Sequence, residues 1–142
     1  MTAAMALLLA NAAATLFMTG VTWFVQVVHY PLFAAVGRER FADYHEAHSR
    51  LTTFVVLPPM AVELGTSFAL VFERPDGVGL AAAVAGALLA LVTWLSTALI
   101  QVPQHRHLSP DGVRQLVTGS WLRTIAWTAH SALILAMLAA AD

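Results

Sequence analysis

Six histidines stand out in a chain otherwise rich in alanine, leucine and valine: His29, His45, His48, His105, His107 and His130. Imidazole both ligates transition metals and moves protons near neutral pH. It is costly in lipid, so a very apolar chain does not accumulate it by default. The run His45-Glu46-Ala47-His48 sets two imidazoles three residues apart, on one face of a helix. Two such groups can hold one metal ion. The zincin pattern needs a four-residue step around its glutamate, so taken alone the pair reads more readily as an interfacial hydrogen-bonding pair, and only His29 and His105/His107 at the same level bring ligation level with it.

Composition says where these groups must work. Of 142 residues, 59% are hydrophobic and 11% charged, against roughly 25% charged in soluble domains. All seven cations are arginine, and the net charge of −1 gives no electrostatic support for binding nucleic acid. Cysteine is absent, which excludes disulfides and thiolate metal sites. A metal would have to take His, Asp, Glu or water as ligands.

Four stretches meet the roughly 20-residue requirement for a membrane helix: residues 4–28, 51–72, 79–102 and 120–140. None alternates like a strand. The expected fold is all-α, an antiparallel bundle of four transmembrane helices in a single domain over residues 1–142. The first run lacks the cationic start of a signal peptide and continues too far, so it reads as a retained helix. Pro58 and Pro59 should kink the second helix. The turn Glu73-Arg74-Pro75-Asp76-Gly77 makes helices two and three a tight hairpin.

Arg38, Arg40 and Arg50 lie by the first long connection; Arg106, Arg114 and Arg123 lie by the other, and only Arg74 belongs to the far side. The positive-inside rule puts both long connections in the cytoplasm and both termini outside an inner or cell membrane. His29, His45, His48, His105 and His107 then share the cytoplasmic level. His130 lies deeper.

Each span carries a polar row at helical spacing. The first has Asn11, Thr15, Thr22, Gln26 and His29. The second has Tyr44, His45, His48 and Thr52, leading past the prolines to Glu63 and Thr66. The third has Thr93, Thr97 and Gln101. Pro103 should end that helix, leaving His105-Arg106-His107 in a loop. The fourth has Arg123, Trp127 and His130. Glu63 stands roughly 22 Å from His48 along a helix, with His130 and Arg123 as the expected partners of an acid at that depth.

These rows define candidate roles. His29, His45, His48 and His105 are the expected ligands of a transition metal such as zinc, copper or iron, with His107 undecided. Asp43, Tyr44 and Glu46 are nearby hydrogen-bonding partners. The alternative is a hydrated, metal-free interface. Tyr44, Glu63 and His130 are the acid–base candidates. Gln26, Gln101, Arg123 and Trp127 are expected to line a deeper pocket for a lipophilic substrate. The bland reading of Glu63 is a structural lock between helices two and four.

The run Trp23-Phe24-Val25-Gln26-Val27-Val28-His29-Tyr30-Pro31-Leu32-Phe33 completes the pattern, with Tyr44-His45-Glu46-Ala47-His48, Gln101-Val102-Pro103-Gln104-His105 and Trp121-Leu122-Arg123-Thr124. Over most of its length the chain resembles small four-helix bacterial membrane proteins related to the anthrone-oxygenase-like group. The resemblance implies an oxygenase or oxidoreductase that oxidises a polycyclic phenol with molecular oxygen. It carries no residue-by-residue assignment. The expected function is therefore a membrane oxidoreductase acting on a lipophilic aromatic or quinone-like molecule. The expected partners are the lipid bilayer and that molecule, with a homo-oligomer left open. The rivals are a bis-histidine haem protein, a small proton or metal transporter, and a non-catalytic membrane subunit.

Overall fold

The computed structural model describes residues 1–106 and 108–141. It is an all-helical bundle of four long rods: α1 (Ala3–Ala35), α2 (Arg38–Phe72), α3 (Leu80–Arg106) and α4 (Pro110–Ala140). Each is long and apolar enough to cross a membrane. Each packs on its chain neighbours, and α4 closes back on α1. Large apolar side chains such as Val27, Phe54, Leu99 and Ile125 point outward, as they must where the surroundings are lipid.

The interior is layered. At one end Leu8, Leu70, Val78, Ile134 and Met137 pack together; at the other Val25, Tyr30, Phe33, Phe41, Val113 and Leu116 do. Met18, Met60 and Trp127 lie between. Polar residues thread these layers. Asn11, Thr15, Thr22, Gln26, Glu63, Thr93, Gln101, Thr124 and His130 are all buried, so the polar rows face the bundle axis as their spacing predicts.

The rods extend further than the apolar stretches alone suggest, because their ends absorb polar residues on the inner face. Four prolines show how. Pro58 and Pro59 sit inside the continuous helix Phe41–Phe72. Each withholds the N–H that would bond four residues back, yet the helix runs on through both. Pro103 does not end α3: the chain continues as helix Val102–Arg106, so His105 is helical and not in a loop. The preceding turn, Thr97–Gln101, widens to a π-helix in which the Val102 N–H reaches the Thr97 carbonyl. Helix α1 repeats the device. Its π turn Val25–His29 ends with the Tyr30 N–H on the Val25 carbonyl, and Pro31 follows directly. Widening the turn before each proline lets the helix pass a residue that cannot donate.

The hairpin between α2 and α3 closes tightly. Gly77 has φ 81°, and a Cβ there would collide with the Ala140 carbonyl of α4. Gly77→Ala is expected to lower stability by about 2 kcal/mol, from the left-handed backbone and the clash together. Thermal unfolding in detergent measures this. An unchanged midpoint would mean that the α2–α3 turn does not press on the end of α4.

Candidate functional site

Three helices deliver imidazoles to one end of the bundle. His29 leaves the π turn of α1, His45 and His48 lie one turn apart on α2, and His105 lies just past Pro103 on α3. π turns inside helices often mark functional positions. Here they aim His29, Tyr30 and Gln101 while the helices stay continuous. The four rings pair by direct contact. His29 Nε2 lies 2.9 Å from His48 Nδ1, and His45 Nε2 lies 2.9 Å from His105 Nδ1. Thr52 Oγ1 reaches His48 Nδ1 at 3.1 Å, and Ser49 Oγ reaches His45 Nε2 at 3.4 Å. The buried Phe33 ring sits edge-on to His29 and His48, at 5.1 and 4.9 Å between centres. It forms the apolar floor of the cluster.

Tyr30 joins the second pair to α4. Its hydroxyl lies 3.0 Å from His105 Nε2 and accepts from Arg123 Nη2 at 3.3 Å. Arginine can only donate, so the Arg123 N–H points to the Tyr30 oxygen. With the His105 proton on Nδ1, the Tyr30 O–H donates to His105 Nε2 and the His105 Nδ1–H donates to His45 Nε2. These tautomers are assigned from the network. The guanidinium thus orders a line of hydrogen bonds across α4, α1, α3 and α2.

Two cavities border the cluster. One, of about 370 Å³, lies between α2 and α3 and is lined by Tyr30, His48, Thr52, Gln101, His105 and Arg123 among others. The other, of about 630 Å³, is an apolar groove between α1 and α2, with Phe17, Phe24, Leu51 and Val55 in its walls. His48, Thr52 and Val56 belong to both, so a single wall separates the groove from the polar cavity. His48 Nε2 makes no hydrogen bond to a described residue. His48 itself lines both spaces.

A second polar centre lies deeper. Glu63 is wholly buried. Its Oε2 accepts from Trp127 Nε1 at 2.7 Å, and its Oε1 lies 2.7 Å from His130 Nδ1. Asn11 Nδ2 donates to the Glu63 carbonyl and to Ser67 Oγ, at 3.0 and 2.7 Å. Thr19 bonds the Trp127 carbonyl and Ser131. α1, α2 and α4 are thereby joined around one residue, the carboxyl group holding α4 and the main-chain carbonyl holding α1.

Several expectations change against this geometry. His29, His45, His48 and His105 do meet, but in pairs; among the described residues no three His, Asp or Glu side chains are grouped to hold a metal ion. His107 lies outside the described residues. Tyr44 is 40% exposed and stands edge-on to Phe33 without a hydrogen bond to a described residue; Tyr30 takes the place in the cluster expected of it. Glu46 is exposed. Of the residues expected around a deeper pocket, Arg123 and Gln101 line the 370 Å³ cavity, and Gln26, Glu63, Trp127 and His130 do not. Gln26 instead ties α1 to the Val117 carbonyl at 2.9 Å. Glu63 pairs with His130 but not with Arg123. Tyr30 is adjacent to His29 in the sequence, but the π turn Val25–His29 sets its direction, which residue spacing alone does not give.

Glu63→Leu would leave the Trp127 N–H and His130 buried without their acceptor. A loss of about 3 kcal/mol is expected, with Glu63→Gln losing less, measured by unfolding in detergent. Equal stability of all three proteins would show that the carboxyl does not bind the helices together. No protein-family model, curated protein or solved structure matches the chain, so its function must be argued from this geometry.

Proposed function

We propose that the protein is a membrane-embedded oxidoreductase that oxidises a lipophilic aromatic molecule with molecular oxygen, using the histidine end as its acid–base centre. The observation that carries this reading is the position of His48, which lines both the apolar groove and the neighbouring cavity and whose Nε2 has no partner among the described residues. A flat, apolar substrate would enter from the bilayer through the groove and present its acidic carbon or hydroxyl to His48. With Nδ1–H donating to His29 Nε2, His48 keeps a lone pair on Nε2 and acts as the base. The resulting delocalised anion is the form of an activated aromatic ring that reacts with oxygen. For a ring CH2 the overall change is balanced: two C–H bonds and the O–O bond break, one C=O and two O–H bonds form, and the products are the ketone and water. Carbon gives four electrons and oxygen takes four.

A metal is the second reading, supported by the gathering of four imidazoles from three helices. It requires nitrogens now engaged with one another to turn towards a shared ion. A haem between His45 and His105 requires the two rings to separate, since their nitrogens are in hydrogen-bond contact.

Turnover separates these readings. Purified protein in detergent, given a 1,8-dihydroxyanthrone, is expected to consume oxygen and yield the anthraquinone. His48→Ala should lower kcat about 100-fold, and Tyr44→Phe should leave it unchanged. An unaltered kcat in His48→Ala would remove the base from the mechanism. Mass spectrometry for bound metal and a visible spectrum, repeated on His45→Ala and His48→Ala, test the cofactor readings: a stoichiometric metal lost from both variants would replace the acid–base assignment.

The same reading places the histidine end in the cytoplasm, supported by the clustering of arginines beside it. The chain has no cysteine, so single cysteines report sidedness cleanly. Asp76→Cys should react with an impermeant maleimide from outside intact cells, and Ser109→Cys only after lysis. The reverse pattern would invert the topology.

A further inference from the structure

Arg123 is only 9% exposed. Its Nη2 donates to Tyr30 and Ser120, both at 3.3 Å, and its guanidinium carbon lies 6.0 Å from the Trp127 ring centre. Its Nε has no partner. None of these neighbours is anionic. Among the described residues the only ion pairs are Arg38 with Asp111 and His130 with Glu63. A charge taken out of water without a counter-charge costs several kcal/mol, and side chains seldom stay in such places without a purpose.

A second orphan lies in the same wall. Gln101 is 1% exposed, and neither its side-chain oxygen nor its nitrogen is hydrogen-bonded. The π turn of α3 carries it to the inner face. Arg123 and Gln101 both line the 370 Å³ cavity, whose lining residues include two arginines and no carboxylate. Two sealed groups with unpaired polar atoms, one of them a cation without a counter-charge, border one space beside Tyr30, His48 and His105.

We propose that this cavity is an oxyanion site: it binds the ionised oxygen of an aromatic ligand, a phenolate or an enolate, against Arg123, with the Gln101 amide N–H donating beside it. The ring body lies against Val56 and Thr52, on the wall shared with the apolar groove. The aromatic identity of the ligand rests on the oxidoreductase reading, whereas the oxyanion site itself rests on Arg123 and Gln101. The arrangement also explains what deprotonation by His48 would gain. Charge released from a ring carbon moves onto the conjugated oxygen, and a fixed guanidinium at that oxygen stabilises the anion as it forms.

The probe is 4-nitrophenol, whose anion is yellow, compared with its neutral isostere 4-nitroanisole. Binding is followed in mildly acidic buffer, where most free 4-nitrophenol is un-ionised. The wild-type protein should bind the phenol about 30-fold more tightly than the ether, the gain of a charge-assisted contact, and the yellow band should rise on binding. Arg123→Met should abolish both the preference and the band, Arg123→Lys should retain part of each, and Gln101→Leu should reduce the preference several-fold. Equal affinity of the wild type for phenol and ether would overturn the proposal without needing any variant to fold. Oleate tests the other source of an oxyanion. If it displaces the phenol in an Arg123-dependent manner and no yellow band ever forms, the site takes a lipid carboxylate and the aromatic assignment fails. Anion binding without anthrone turnover would keep the site and remove the oxygenase; turnover with no preference for the phenol would do the reverse.

Discussion

Glu63 stands wholly buried near the middle of a bundle whose outer surface is alanine, leucine, valine and phenylalanine. A carboxyl group there has no water to turn to, so every partner must come from the protein. The surrounding sequence is arranged around that need. Trp127 and His130 approach from α4, Thr15 and Asn11 from α1, and Ser67 takes up what Asn11 has left. Apolar contacts between membrane helices discriminate poorly, because lipid tails offer nearly the same contacts. The carboxyl group supplies the discrimination. It sets the depth and rotation at which α1, α2 and α4 meet, and so fixes which side chains arrive together at the histidine end, several turns away.

The same requirement operates at that end and is left incomplete. Each imidazole finds at least one neighbour, and Tyr30 bridges α3 to α4. Arg123 and Gln101 do not find all of theirs. In the deep centre the polar atoms are nearly all paired and no space adjoins them in the 370 Å³ cavity. Around the cluster, unpaired atoms and empty volume coincide. The first arrangement resembles a scaffold and the second a site awaiting something. The contrast separates groups that hold the helices together from groups left with unpaired atoms beside a cavity, although both lie on the same polar rows.

Much of this was readable from residue spacing. The row Asn11, Thr15, Thr22, Gln26 could only face inward, and it does. Depth and the rule that buried acids are paired give Glu63 two partners, His130 and Arg123, of which only His130 meets it. What spacing could not supply were relations between helices. The His29–His48 and His45–His105 contacts depend on how far each helix slides along its neighbour, which no single-helix periodicity encodes. Tyr44 shared a face with His45 and His48 on paper, yet the edge of Phe33 meets it at the rim and it stays half in solvent. Pro103 was read as a stop because a straight α-helix cannot pass a proline without losing a bond; the π turn removes that conflict. Arg123 was legible as buried. Its lack of an acidic partner was not, since that is a fact about everything around it.

The two π turns have a meaning for descent as well as for geometry. A π turn holds one residue more than the α turn it replaces, so it is the natural trace of a single-residue insertion that the helix absorbed instead of breaking. In α1 and α3 it falls between the packed lower bundle and the histidine end, immediately before a proline in each case. Above it, side chains are rotated by about 100° relative to an uninterrupted helix. The lower part of each rod can therefore keep the register that its packing demands, while the last turns are phased separately. A lineage of such bundles could change what the upper end presents, one inserted or deleted residue at a time, without disturbing the contacts around Glu63.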